Sequence, residues 1–388
     1  MQKNFPQVVF RFLAGYKLAV VCLSLLFILT WLSTLEQPEK GLYLVQQRYY
    51  SADSWFVSPD LDFIPKIKGN SICPPLPSAY LVSIVLFINL TVGGLIRIRK
   101  DWKRWGVILA HFSMVGLLVA GFVAHHYSRE GLMMIYEGET SDYAQSYTEY
   151  SIEVASYKNG VKQAPYVIPA SELMNLEKDD SLTAYIEPLD LTINVTDWLP
   201  NADLFASNKE NVPHVVKAKE LNPIAEANQV ACKISLSGLI DRNDSLQLHS
   251  QLFEEKIAVS ENEMIGIQII KEVWKMPFNI QLDSSIGEYH PNTSRPKYFE
   301  SKVTKFNQDS IQDSAYTIKM NEPLRHGGYT LFQAKWIGDT HRPQSGFAVV
   351  NNPADQWPKY CLYLATIGLT AHFGMQLTQF LLKRNSRR

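Results

Sequence analysis

The stretch that decides the fold is WGVILAHFSMVGLLVAGFVA, residues 105–124, which carries no acidic or basic residue except a single histidine. A helix of roughly 20 apolar residues crosses a bilayer core about 30 Å thick, so the length fits one crossing. The basic segment RIRKDWKR, residues 97–104, comes directly before it. Residues 105–124 are therefore predicted to form a transmembrane helix that starts at a positively charged membrane surface.

Three further apolar runs of similar length lie on either side of this stretch. They are LAVVCLSLLFILTWLSTL (residues 18–35), AYLVSIVLFINLTVGGLI (residues 79–96) and YCLYLATIGLTAHFGMQLTQFLL (residues 360–382). The alternative for the first run is a buried core helix or a signal peptide, but no small-residue cleavage site follows it. The four runs together predict a membrane α-helical protein with four transmembrane helices.

The charges are divided unevenly between the segments that join these runs. Residues 1–17, 97–104 and 383–388 hold 12 of the 37 Lys and Arg residues, but one of the 38 Asp and Glu residues. Because short basic segments stay in the cytoplasm, both termini are predicted inside. The loop of residues 36–78 and the long segment of residues 125–359 are then outside, which predicts a multi-pass protein of the inner (cytoplasmic) membrane.

The long outer segment has the sequence pattern of a β domain. Polar and apolar residues alternate over residues 185–198, 231–239, 264–274, 278–282 and 316–320, and Gly, Pro, Asn and Asp separate these stretches. Alternation with period two between turn residues indicates antiparallel strands. The segment is therefore predicted to fold as a large, mostly antiparallel β extracytoplasmic domain. Short helices are expected only near residues 170–176 and 223–228, and residues 51–77 are expected to be irregular.

Composition and motifs exclude several function classes. With 46% hydrophobic residues, four cysteines and a net charge of -1, the chain is not disordered, not a disulfide scaffold and not a nucleic-acid-binding protein. It has no P-loop, dinucleotide fingerprint, HExxH, GxSxG, CxxC or CxxCH motif. No catalytic residue is predicted.

Two histidines within the predicted spans are the candidate site residues. His111 lies in the third span and His372 in the fourth. Ionisable side chains in a span are rare and usually face a partner, a cavity or a cofactor. Ligation of haem iron is one explanation, since imidazole is a common axial ligand. Helix-to-helix hydrogen bonding is the other, and the residues alone weigh the two about evenly.

The depths of the two histidines bear on whether they hold one haem. At about 1.5 Å per residue, His111 is expected roughly 9 Å and His372 roughly 15 Å from the cytoplasmic ends of their spans. A shared iron is compatible with these depths but not required by them. His125 and His126, at the outer end of the third span, are expected to be a partly solvated turn. Cys73 and Cys232 are expected outside, either paired or as free thiols.

The arrangement of one span, an outer loop, two spans, a large outer β domain and a final span resembles the ResB (CcsB) family of System II cytochrome c-type biogenesis proteins. Local marks of the resemblance include YYSADSWF (residues 49–56), HFSMVGLLVAGF (residues 111–122) and PFNIQLDSSIGEY (residues 277–289). The most specific is NEPLRHGGYTLFQAKW, residues 321–336. It contains a predicted tight turn at residues 325–329 that exposes RHGGY.

The resemblance implies a subunit of a membrane complex with a ResC (CcsA) protein. In the family, this complex carries haem across the membrane and attaches it to apocytochrome c. A histidine in the span before the outer domain is a haem ligand there, and His111 matches that position. The ligand role of His372 has no family counterpart. The tryptophan-rich segment of the ResC half is absent, because the eight Trp are scattered, so a separate ResC partner is expected.

The expected cofactor is haem b, bound transiently as cargo, with His111 and His372 as candidate axial ligands of its iron. The expected partners are a ResC/CcsA-like protein, apocytochrome c and a thioredoxin-like thiol reductant, with no nucleic acid. The chain is at most one subunit of a cytochrome c haem-lyase-type synthase. The alternative function is a membrane-tethered adaptor whose β domain recruits apocytochrome c or ResC without binding haem.

Overall fold

The computed structural model describes residues 5–52, 54–61, 66–67, 70–71, 74–177, 180–209, 212–239, 242–260, 262–293, 295–307, 312–338 and 342–385. The chain forms two compact units. The first consists of Met1–Ser128 together with Asn352–Arg388, and the second of Arg129–Asn351. The first unit is helical and the second is built of β-strands.

Seven α-helices occur among the described residues. They are α1 (Phe5–Leu13), α2 (Tyr16–Lys40), α3 (Leu42–Tyr50), α4 (Ala79–Asn89), α5 (Trp105–Tyr127), α6 (Ala170–Leu173) and α7 (Trp357–Asn385). The helix α4 continues as a π-helix over Leu90–Ile96, and a 3₁₀ turn, Trp102–Arg104, precedes α5.

Three helical segments are long and apolar enough to cross a membrane within the described part of the chain. They are Tyr16–Lys40, Ala79–Ile96 and Trp102–Tyr127. They mark the chain as a membrane protein and contain the first three predicted spans. The fourth predicted span, residues 360–382, is also helical, as part of α7. Its Thr, Gln and His side chains make α7 less apolar than the other three, so a fourth crossing stays a prediction.

The first helices extend beyond the apolar runs that predicted them. Pro38 lies inside the last turn of α2, which continues to Lys40, and α3 follows immediately where no helix was expected. The interior of this unit joins α2, α3 and α4. Cys22 and Leu29 of α2, Tyr49 of α3 and Val82 and Leu86 of α4 are all buried in one cluster. The predicted outer loop is thus packed against the predicted spans.

The strands are short in the outer loop and long in the second unit. They are β1 (Phe56–Val57), β2 (Lys66–Ile67), β3 (Asn70–Ser71), β4 (Leu76–Pro77), β5 (Arg129–Tyr136), β6 (Thr140–Lys158), β7 (Val161–Lys162), β8 (Tyr166–Ile168), β9 (Ser181–Ile186), β10 (Leu191–Leu199), β11 (Ala202–Lys209), β12 (Val212–Ala218), β13 (Ala231–Gly238), β14 (Arg242–His249), β15 (Glu255–Ser260), β16 (Glu263–Tyr289), β17 (Pro296–Phe306), β18 (Gln312–Lys319), β19 (Leu324–His326), β20 (Tyr329–Ile337) and β21 (Gln344–Asn351).

The second unit is the predicted large antiparallel β domain. Its main sheet has the order β18-β17-β16-β6-β5-β21-β20-β19, with β15 added to β16 and β7 and β8 added to β6. A second sheet has the order β14-β13-β10-β9, and β11 pairs with β12. In the outer loop of the helical unit, β1 pairs with β4 and β2 with β3. All pairs among the described residues are antiparallel.

The two longest strands, β6 and β16, form a ribbon that contributes to two separate apolar cores. Alternate residues of β16, including Ile265 and Ile267, pack with the β10–β13 sheet in one core. Farther along β16, Phe278 and Leu282 belong to a second core with β5, β20 and β21. Because alternate side chains of a strand share a face, each half of the ribbon presents one apolar row to its own core.

Local backbone chemistry explains where the sequence expectations differ from the strands. The stretch of residues 185–198 is two strands rather than one, because a 3₁₀ turn at Glu187–Leu189 contains Pro188 and is followed by Asp190 with φ 45°. The stretches of residues 264–274 and 278–282 are instead one strand, β16. Pro277 is accommodated there because the pairing with β6 is interrupted between Lys275 and Ile280.

Candidate functional site

His111 lies on α5 with one side of its ring fixed. Its Nδ1 is 2.8 Å from the carbonyl oxygen of Val107, one turn earlier. A carbonyl only accepts, so Nδ1 is the donor, and in the neutral form of the ring Nε2 is the nitrogen with a free lone pair. Nε2 makes no hydrogen bond within the part of the chain that the structure describes. This is the arrangement of an imidazole ready to bind a metal, since ligating histidines usually donate the other ring N–H to a carbonyl or carboxylate.

The ring of His111 packs against the π-helical end of the second predicted span. A Cβ at Gly94 would overlap the imidazole, with Cγ of the ring only 2.9 Å and Cβ of His111 3.2 Å away. The neighbouring Gly93 packs instead on the backbone of Ala14. Residue Gly94 thus gives the imidazole a flat backbone surface without a side chain.

His372 lies on α7 at a point where α7 packs closely on α5. A Cβ at Gly106 would be 2.5 Å from the carbonyl oxygen of Gly368 and 2.9 Å from the backbone nitrogen of His372. Near the other end of this contact, Gly116 faces Cys361. The Nδ1 of His372 is buried and has no hydrogen-bond partner among the described residues. An unpaired buried imidazole nitrogen is unfavourable by about 1–3 kcal/mol, so this nitrogen calls for a ligand or a hydrogen-bond partner that the described residues do not supply.

The two histidines meet α5 at different points along its length. His372 contacts Gly106, whereas His111 comes five residues later on α5, which is about 140° around the helix and about 7.5 Å along it. His372 therefore lies nearer the first residue of α5 than His111 does, the reverse of the order expected from the sequence. That expectation counted from the end of the apolar run, but the register between α5 and α7 is set by Gly106 and Gly368.

A pair of adjacent histidines, His125 and His126, lies in the last turn of α5. Nε2 of His126 shares a 3.0 Å hydrogen bond with the hydroxyl of Tyr80, the second residue of α4. The rings of His125 and His126 have centroids 4.9 Å apart, and Phe122 lies 4.5 Å from His126. The pair is exposed, as expected, but it belongs to the last helical turn of α5 and not to a turn after the helix. It connects the end of α5 to the start of α4.

Glu36 is a buried acid that the sequence interpretation missed. It lies at the outer end of α2, and its side chain is fully buried. Its carboxylate accepts hydrogen bonds from the Tyr49 hydroxyl at 2.6 Å, the Asp60 backbone N–H at 2.7 Å and the Arg48 guanidinium at 3.0 Å. The available signal was a single acid immediately after an apolar run, with an Arg-Tyr pair 12 residues later. The carboxylate ties α3 and the outer loop to α2.

In the β domain, the predicted RHGGY turn is the hairpin between β19 and β20. His326 and Tyr329 are paired across Gly327 and Gly328, whose φ angles are 57° and 82°, as a two-residue hairpin requires. Both histidine and tyrosine rings stack edge-on against Phe278, with centroids 5.2 and 5.7 Å away. The tip is exposed, but its base is fixed by the core.

A cavity of about 500 Å³ lies beside this hairpin. Tyr329 and Phe278 line it together with Asp142 and Lys275, which form a 3.1 Å ion pair. The cavity follows from the interruption in β16, where Met276–Asn279 bow away from β6. It offers an aromatic wall and a charged rim on the same side of the domain as the RHGGY tip.

Clusters of metal-ligating residues and the cysteines are the remaining candidates. No group of three or more His, Cys, Asp or Glu suited to a metal ion occurs in the described residues. Cys232 has no disulfide partner among the described residues; it is buried in the first apolar core, and burial raises the pKa of its thiol to about 12. Cys73 lies outside the described residues, so both alternatives, a pair with Cys232 and two free thiols, stay predictions.

Two comparisons with known proteins bear on the site. The model of the ResB-like family matches residues 98–170 and 237–355, together about half of the chain. A search of curated proteins finds no match. The first matched segment contains α5 with His111, and the second contains the RHGGY hairpin and the cavity beside it. His372 lies outside both.

Proposed function

The chain belongs to the ResB-like family, which is associated with cytochrome c biogenesis, and from this membership we propose that it holds haem b in transit across the inner membrane. The complex with a ResC/CcsA-like protein then delivers the haem to apocytochrome c on the outer face. His111 is the proposed axial ligand of the haem iron in this chain. The large β domain is proposed to stand on the outer side.

The observation that carries the proposal is the state of the His111 ring. Its Nδ1–H is committed to the Val107 carbonyl at 2.8 Å, and Nε2 has no protein partner among the described residues. A neutral imidazole with a fixed tautomer is a good ligand for haem iron. The position within an apolar helix keeps water away from the ring, which supports a role in holding haem rather than in catalysing a reaction of haem.

The chain supplies one ligand and leaves the opposite axial position to another group. His372 is a weaker candidate, because it faces α5 at Gly106 on another side of the helix and at another level. We therefore expect the second ligand to come from the ResC/CcsA-like partner. The buried, unpartnered Nδ1 of His372 makes it a candidate for a second iron or for a partner's hydrogen-bond donor. A thioredoxin-like reductant would act on the apocytochrome cysteines, not on this chain.

The test is an absorption spectrum of the full chain purified together with its ResC-like partner. We expect His111→Ala to lose the haem signal of wild-type protein, while His372→Ala keeps most of it. An exposed histidine, His290, provides a matched control in the β domain. Equal haem content and identical spectra for His111→Ala and wild type would show that His111 is not a ligand.

The second candidate function is a membrane-tethered adaptor. The observation that favours it is the exposed RHGGY tip next to the cavity lined by Phe278 and Tyr329, a surface suited to an extended peptide such as unfolded apocytochrome c. This function predicts normal cytochrome c maturation in a His111, His372 double alanine variant. It also predicts a loss of maturation when Tyr329→Ala removes the aromatic wall.

A further inference from the structure

The second predicted span changes its helical geometry next to His111. The helix α4 is regular from Ala79 to Asn89, and the next seven residues, Leu90–Ile96, form a π-helix. Such wide turns are rare in α-helices and are frequently found at functional sites. The sequence at this point is LTVGGLI, with its two glycines in the middle of the π-helical segment.

Room for the His111 ring, rather than backbone strain, explains the glycine at position 94. Gly94 does not have a positive φ angle, so any residue could adopt its conformation. A Cβ there would nevertheless overlap the imidazole, 2.9 Å from Cγ. Gly121 on α5 shows the contrast, since a Cβ at that glycine would meet nothing within 4 Å.

The π-helical segment is held at both ends by the N-terminal part of the chain. At its start, the amide of Asn89 donates to the carbonyl oxygens of Leu13 at 2.6 Å and Gly15 at 3.0 Å. At its end, Arg97 donates to the carbonyl oxygen of Ala14 at 3.1 Å. Leu13 is the last residue of α1, where helix carbonyls lack intrahelical partners, and Ala14 and Gly15 connect α1 to α2. The Gly15 carbonyl also accepts from the Leu18 N–H at 3.2 Å. The hydrogen bonds from Asn89 and Arg97 therefore tie the π-helical turn to the corner between α1 and α2.

We propose that Gly94, within the π-helical turn anchored by Asn89 and Arg97, is the positioning residue that sets the plane of the His111 imidazole for its bond to haem iron. The proposal rests on the proposed function. The turn closes one side of the ring, the Val107 carbonyl holds Nδ1, and only the direction of Nε2 is left for the iron. Gly94 itself touches neither haem nor iron.

The experiment compares Gly94→Ala with Gly121→Ala in the full chain copurified with its ResC-like partner and loaded with haem. We expect Gly94→Ala to retain haem about 10-fold less tightly, or worse, as when other groups that orient a metal ligand are removed. Its spectrum is expected to differ from the wild-type spectrum in the same direction as that of His111→Ala. Gly121→Ala should match wild type, because a Cβ there meets nothing within 4 Å.

Free imidazole separates positioning from a general loss of structure. In His111→Gly, added imidazole can bind the iron without being tethered, so the orientation of a tethered ring no longer matters. We therefore expect His111→Gly and the His111→Gly, Gly94→Ala double variant to recover the same spectrum at the same imidazole concentration. If the double variant is not rescued, Gly94 serves the fold and the proposal is wrong.

The outcomes distinguish the two proposals. If wild type binds haem through His111 but Gly94→Ala is indistinguishable from Gly121→Ala, the positioning role fails and the haem-holding function stands. If His111→Ala leaves the haem spectrum unchanged, the function itself fails. Should Gly94→Ala be absent from membranes, Asn89→Leu decides the matter by removing the anchor without adding atoms beside the ring. An unchanged spectrum in Asn89→Leu would overturn the proposal.

Discussion

Replacing Glu36 by alanine is expected to destabilise the helical unit more than any exposed substitution on α2. The carboxylate is fully buried and accepts three hydrogen bonds from Tyr49, Arg48 and the backbone of Asp60. Losing one partner of a buried ion pair costs about 3–5 kcal/mol. Because 38% of the Arg48 side chain is exposed, water replaces part of that interaction, and the expected cost is about 3 kcal/mol.

The change in melting temperature follows from the size of the unit. In domains of 150–250 residues, 1 kcal/mol lowers Tm by about 2–4 °C, so Glu36→Ala is expected to lower it by about 6–12 °C. Glu36→Gln keeps an acceptor for Tyr49 but no longer carries a charge for Arg48, so we expect it to lower the free energy of unfolding by about 1–2 kcal/mol. The assay is thermal unfolding of the full chain in detergent, followed by tryptophan fluorescence.

The matched control is Glu39→Ala, three residues farther along α2 and exposed. It removes an acid from the same helix end without removing a buried hydrogen bond, so its Tm should stay within about a degree of wild type. Equal Tm values for Glu36→Ala and Glu39→Ala would refute the reasoning, because they would mean that the three hydrogen bonds do not hold the outer loop to α2.

Three further predictions use the same full-length protein. In the haem-free protein, His372→Leu should raise Tm, since it removes the buried Nδ1 that lacks a hydrogen-bond partner among the described residues and so removes an unfavourable free energy of about 1 kcal/mol. An equal or lower Tm would contradict the claim that this nitrogen destabilises the fold. Glu149→Gln should stabilise the β domain near pH 7 in chemical denaturation, because burial, and then the nearby Glu272, raise the pKa of Glu149. The raised pKa favours the protonated acid, so the stability gained by Glu149→Gln over wild type should shrink as the pH falls toward 4.5. A gain in stability that does not change with pH would contradict this cause. Cys232 should resist a maleimide at pH 7 until the protein is denatured, because burial raises its pKa to about 12; labelling of denatured protein only after reduction would instead indicate a pair with Cys73.

The sequence predicted the kinds of structure well because each kind has its own periodicity. Long uncharged runs such as residues 105–124 admit few alternatives to a spanning helix, and alternation in residues 231–239 became β13, Ala231–Gly238. The RHGGY turn could also be predicted from the sequence, because two adjacent glycines between strands favour a hairpin. Local patterns thus suffice wherever one short segment determines its own conformation.

Breaks and joins between strands were harder to predict because they depend on the neighbouring strand. Pro188 ended a strand while Pro277 did not. The difference is that Pro277 lies in Met276–Asn279, which stand opposite the single residue Asp142 of β6 and are not paired with that strand, so no hydrogen bond is lost there. A sequence pattern contains the proline but not the partner that accommodates it.

The surroundings of the candidate ligands could not be predicted from the sequence for the same reason. His111 and His372 stood out as ionisable residues in apolar runs, but their partners Gly94 and Gly106 belong to other helices. Which glycine faces which histidine depends on helix register, and a shift of five residues turns a side chain by about 140°. Glu36 was overlooked because its partners come from a helix, α3, that no apolar run predicted.

The pairing of β5 with β21 has a consequence for how the protein is made. Arg129 is opposite Asn351 and Gly131 opposite Val349, so the first strand of the β domain has the last one as its neighbour. A ribosome produces β5 more than 200 residues before β21, and β5 cannot complete its pairing until synthesis of the domain is nearly finished. Long-range pairing of this kind folds slowly and leaves edges open meanwhile. The domain is thus expected to need protection from aggregation throughout its synthesis, ending only when its final strand is added.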